Sequence, residues 1–156
     1  MARFVIVLLL ACLASLSMGQ RKRREGVYNC YNKNLCNCND GNSIEFWQEC
    51  FDKAGPQIQE WYIGEVNKCK GLSKPVQNGP VASWVQSVCA LEEEVRKDCY
   101  FQLNKRSQEE YQKASNGEYG PEIKDKSYEA TECLRQVIYE CQMKHEDDCL
   151  IYKSNP

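Results

Sequence analysis

Eleven cysteines and a single histidine, His145, are the residues of this 156-residue chain with the most chemistry to offer. Thiolates can bind metal, attack a carbonyl or close disulfides, and spacing separates these uses. Structural zinc takes four Cys or His ligands, usually as close pairs. Here only Cys36 and Cys38 are close, a single residue separates them, and His145 is the one imidazole. A hydroxyl or thiol nucleophile usually needs a base beside it, most often histidine. His145 lies in "QMKHEDDC", a charged helix end where a cation interacts favourably with terminal carbonyls. An EF-hand reading of "CNCNDGNSIEFW" places Gly41 sixth, which puts Cys36 first and Trp47 twelfth; neither ligates calcium in those roles. The carboxylates that a glycosidase would pair are spread over helix surfaces. Disulfide chemistry remains. The expectation is a protein that is not an enzyme and holds no metal and no cofactor.

The compartment agrees with that chemistry. Residues 1–19 carry one cation, an apolar run from Phe4 to Ala14, and small residues up to Gly19, the layout of a secretory signal peptide. The run is well short of the ~20 residues that span a bilayer as a helix, and no membrane span is expected. Residues 20–24 end in "RKRR", a site for a basic-specific processing protease, with cleavage expected after Gly19 and, as a second step, after Arg24. The chain as a whole has 20 Lys and Arg against 22 Asp and Glu; removing the five cations that precede Glu25 leaves 15 against 22, a net charge of −7. An acidic body is a poor match for nucleic acid, which calls for clustered cations. Residues 25–156 are expected to form one disulfide-stapled helical domain.

Cys12 leaves with the signal. Ten cysteines remain: Cys30, Cys36, Cys38, Cys50, Cys69, Cys89, Cys99, Cys133, Cys141 and Cys149. An even number in an exported chain implies five bridges.

The elements that must position them are helical. "NDGNS" reads as a turn, with Asn42 and Glu45 in the form of a capping box. Ile44, Trp47, Phe51 and Ala54 then fall on one stripe of a helix over 43–54. Pro56 opens a second helix with Ile58, Trp61, Tyr62, Val66 and Cys69 on its apolar side. "KGLSKPVQNGP" at 70–80 is a linker. A long third helix is expected from Val81 to at least Leu103, and a fourth from Ser127 to His145. No stretch alternates with period two. The fold class is therefore all-α, a small disulfide-rich bundle of four to five helices. If the third and fourth helices are antiparallel, paired cysteines have a nearly constant number sum, which predicts Cys89–Cys141 and Cys99–Cys133.

The layout is similar in general style to helical cysteine-rich proteins secreted by invertebrates, among them venom, salivary and odorant-carrying proteins. The paired cysteines of the insect odorant-binding pattern, three residues apart, are not in this sequence, and no site residues carry over. The leading expectation is a secreted protein that binds an extracellular protein partner as a venom, salivary, defence or signalling factor. Tyrosines in loops or polar segments (Tyr28, Tyr31, Tyr111, Tyr119, Tyr152) would supply contact area. The alternatives are a carrier of a small apolar ligand, with Trp47, Trp61, Tyr62 and Trp84 lining a pocket, and a structural or storage protein.

Overall fold

Tyr28, Tyr31 and Leu35 recur at three- and four-residue steps, and all are buried. They form the inner face of α1, residues 24–32, which continues as a π-helical turn over Lys33–Asn37. The computed structural model describes residues 24–38 and 42–143. Five further helices follow: α2 (Asn42–Lys53), α3 (Gly55–Val66), α4 (Val81–Cys89), α5 (Glu93–Ser115) and α6 (Pro121–Met143). The described residues hold no strand, and the fold is all-helical and disulfide-rich.

The last helix, α6, begins at Pro121, six residues before the expected Ser127, and two larger differences from the sequence expectation also concern helix boundaries. The first is α1 itself. Its asparagines look like loop, yet Asn34 is fully buried, its amide donating to the Cys30 carbonyl at 2.8 Å and lying 3.3 Å from Cys141 Sγ. A buried polar group is tolerated when bonded. Tyr28 and Tyr31 are accordingly core residues, 2% and 5% exposed, and present no contact surface. Tyr111 is half-buried, Tyr119 is exposed, and Tyr152 lies outside the described residues.

The second is the long third helix, which is two helices. The chain turns at Ala90–Glu92. Arg96 Nη1 donates to the carbonyls of Cys89 and Leu91, at 2.7 and 3.3 Å, and so closes the end of α4. Glu93 and Glu94 stand in the first turn of α5, where carboxylates favour a helix start.

That break overturns the cysteine pairing. The constant-sum argument needs Cys89 and Cys99 on one continuous helix, and they are on two. The bridges are Cys30–Cys141, Cys36–Cys89, Cys50–Cys133 and Cys69–Cys99, in place of Cys89–Cys141 and Cys99–Cys133. Cys38 is also disulfide-bonded. Gly19, His145 and Cys149 lie outside the described residues. Arg24 is helical and exposed.

The four bridges sort the helices into two sets. Cys30–Cys141, Cys36–Cys89 and Cys50–Cys133 link α1, α2, α4 and α6; Cys69, just past α3, joins Cys99 on α5. Within the first set, α2 packs most extensively on α6. The second is reinforced by Glu65 on α3, whose carboxylate meets Arg106 Nη1 at 2.5 Å and also pairs with Lys68. Burial alone would raise the Glu65 pKa; the hydrogen bonds from Lys68 and Arg106 outweigh it and hold the carboxyl below its usual range. The linker is pinned too, because Asn67 bonds both the carbonyl and the N–H of Val76, at 2.9 and 2.6 Å. Gln48 of α2 accepts the Val81 N–H at 2.7 Å, satisfying a donor at the start of α4.

Candidate functional site

A cavity of about 220 Å3 lies between these two sets of helices. Trp47, Trp61, Tyr62 and Trp84, which share no sequence neighbourhood, all line it. Helical spacing explains how each arrives. α2 contributes Trp47, Cys50 and Phe51, with Ala54 just past its end; α3 contributes Gln57, Ile58, Trp61 and Tyr62; α4 contributes Val81 and Trp84. Three of the rings form a triangle with centroids 5.7 to 6.1 Å apart, Phe51 with Tyr62 and Trp84, and Tyr62 with Trp84, within the range of favourable aromatic pairs.

The opposite wall explains why these rings enclose space. α5 presents Ser107, Glu110, Tyr111 and Ala114, at steps of three, one and three residues. α6 presents Ile123, Ser127, Ala130, Thr131 and Leu134. On both helices small side chains alternate with larger ones, and together they do not fill the gap opposite the rings. Sequence reasoning found the aromatic wall and missed this one. Its signal was present, as serine, alanine and threonine recurring at helical spacing where a filled bundle would carry leucine.

The cavity is overwhelmingly apolar, and Glu110, its charged lining residue, is partly exposed. The indole nitrogens of Trp47 and Trp84 are buried without a hydrogen-bond partner; enclosed by protein, they offer a ligand no anchor. Burial pushes the Tyr62 hydroxyl up to about 12, an effect that its hydrogen bond with Tyr31 partly offsets, so it stays protonated at neutral pH. At the rim, the Tyr119 hydroxyl donates to Glu110 Oε1 at 2.6 Å, and Lys113 reaches Oε2 at 3.0 Å. Burial raises the Glu110 pKa, but these two hydrogen bonds outweigh it and hold the carboxyl below the usual range.

Tyr119 is delivered by the turn between α5 and α6. Gly117 and Gly120 flank it at φ of 81° and 84°, a left-handed conformation that costs glycine little. A shallower cleft adjoins the rim and shares Ala54, Gln57, Tyr119 and Ile123 with the cavity. It borders the turn between α2 and α3, where Gly55 has φ 74° and a built Cβ would come within 2.8 Å of Lys126 Cδ.

The disulfide cysteines serve as clamps. Cys50, fully buried, joins the cavity wall of α2 to Cys133 on α6. Among the described residues, no three His, Cys, Asp or Glu side chains are grouped to hold a metal ion, and no helix is long and apolar enough to cross a membrane. No family model matches the chain, and neither a curated protein nor a solved structure shows significant similarity to it.

Proposed function

We propose that this protein is a secreted, disulfide-stapled carrier that holds a small apolar ligand between its helices. The observation that carries this reading is the 220 Å3 cavity, apolar and with an aromatic wall facing serine, alanine and threonine on α5 and α6. An apolar cavity of about 150 Å3 already admits benzene. The space is partly open, and its apolar lining stays in contact with water until a ligand covers it. The bridges keep a domain with such a gap folded, since a disulfide contributes roughly 2–4 kcal/mol and they close loops of 30 to 111 residues. The same bridges, with the leader-like residues 1–19, support an oxidising, extracellular destination.

Native mass spectrometry of protein secreted from eukaryotic cells tests the reading. A bound small molecule, or saturable uptake of one added apolar molecule such as ethylbenzene, is expected for the native chain. Both are lost in Ser127→Phe, which fills the space from α6, while the melting transition is retained. Equal uptake by the two proteins, or none by either, removes the carrier from consideration.

A second reading, binding of an extracellular protein, draws on a different surface. Tyr128, Tyr139 and Met143 are 57%, 63% and 64% exposed, and their spacing puts them on one face of α6. Exposed tyrosines of this kind are common anchors in protein interfaces.

A further inference from the structure

We infer that the ligand of this cavity is an organic cation, a small amine with an aromatic or alkyl body whose ammonium group sits at the rim against Glu110. This inference rests on the carrier reading and narrows it to one chemical class.

Three observations at the site lead to it. First, Glu110 is the single charged side chain lining the cavity, and no basic side chain lines it. A carboxylate ligand would bring two negative charges together in a partly desolvated place. A neutral hydrocarbon would gain nothing from the acceptor directions that Glu110 still offers beside Lys113 and Tyr119.

Second, the carboxylate is held in place and still has capacity. Two oxygens offer about four acceptor directions, and the described hydrogen bonds use two, Tyr119 on Oε1 and Lys113 on Oε2. The Lys113 pair is an exposed one made within a single helix, of the kind that contributes little and exchanges readily with solvent. Lys126 lies in the adjoining cleft, alongside Gly55.

Third, the surface beside Glu110 is aromatic. Tyr111 and Tyr119 line the cavity with Trp61 and Tyr62. Ring faces attract a desolvated cation and accept an apolar body equally well. Carboxylate at the edge and rings behind it match the two ends of an alkyl- or arylamine.

Three probes of nearly equal shape separate the alternatives: 2-phenylethylamine, ethylbenzene and 3-phenylpropionate, titrated at pH 7 into the oxidised native chain and into Glu110→Gln. Binding of the amine at least about tenfold tighter than ethylbenzene is expected, with the anion weakest, since a charge-assisted hydrogen bond is worth roughly that factor or more. Glu110→Gln should bring the amine down to the level of ethylbenzene. Circular dichroism showing the helical content of the native chain establishes that the variant folds. Raising the salt concentration should weaken only the amine. Equal affinity for all three probes, or an amine preference that survives Glu110→Gln, overturns the inference and leaves the carrier standing. No binding of any probe overturns both.

Discussion

Two aromatic clusters stand side by side in this molecule and are built to different ends. Around Tyr100 the rings interlock. Its centroid lies 4.7 Å from Tyr31, 5.4 Å from Tyr28 and 5.4 Å from Phe101, and Tyr31 meets Trp47 edge-on at 5.6 Å. Tyr28, Tyr31 and Tyr100 are at most 9% exposed. Around Phe51, Tyr62 and Trp84 the rings are spaced at 5.7 to 6.1 Å and border open space. The amino acids are the same, so composition does not make the difference; the partner surface does. α1 answers the first cluster with its own tyrosines, and α5 and α6 answer the second with serine, alanine and threonine set among Tyr111, Ile123 and Leu134. A cavity is specified by what is small as much as by what is large.

Substitution should separate the two clusters. The largest effect is expected in the filled one. Tyr100→Ala removes a buried ring that touches three others and should cost about 3–5 kcal/mol by chemical denaturation, with the Tyr28 and Tyr31 hydroxyls left beside the void. Trp61→Ala should cost about 1 kcal/mol or less, because that ring is half-buried and borders space already open, yet it should weaken ligand uptake at least about tenfold. Comparable stability losses in the two variants would mean that the cavity wall is ordinary core.

The smallest effect is read in the acid limb. Glu65, on α3 behind the cavity wall, has a folded-state pKa below its unfolded value. Its contribution is therefore present in full above the unfolded carboxylate pKa, about 4.3, and is lost as pH falls through the lower folded value. Melting temperature should decline from about pH 4.3 downward, and Glu65→Gln should flatten that decline while lowering stability at pH 7. A variant whose acid limb matches that of the native chain would show that the Arg106 and Lys68 contacts contribute nothing to linkage.

Much of the architecture was legible because periodicity survives in letters. The stripe Ile44, Trp47, Phe51 and Ala54 marks α2, and Ala54-Gly55-Pro56 marks its junction with α3. What escaped has physical reasons. α1 hides behind asparagines, one of which is buried through hydrogen bonds that only the fold supplies. The break between α4 and α5 contains neither glycine nor proline; it is held by Arg96 reaching back to two carbonyls, a contact between residues that periodicity treats as one helix. The pairing of cysteines failed with that break. At the cavity, the three tryptophans and Tyr62 stood out by size, whereas Ala114, Ala130 and Ser127 carry their meaning only opposite those rings. Glu110 was one carboxylate among 22 acids until the turn carrying Tyr119 placed a hydroxyl against it.

The most direct test of the account is methyl-resolved NMR of the oxidised protein labelled at alanine and isoleucine and titrated with 2-phenylethylamine. Ala114, Ala130 and Ile123 line the cavity from α5 and α6, and their methyl signals are expected to shift together, saturably, with nuclear Overhauser contacts to the ligand ring. The rings around Tyr100 should remain unmoved. Shifts confined to the exposed face of α6 near Tyr139, or no saturable change at Ala114 and Ala130, would contradict the claim that the space between these helices is a ligand site.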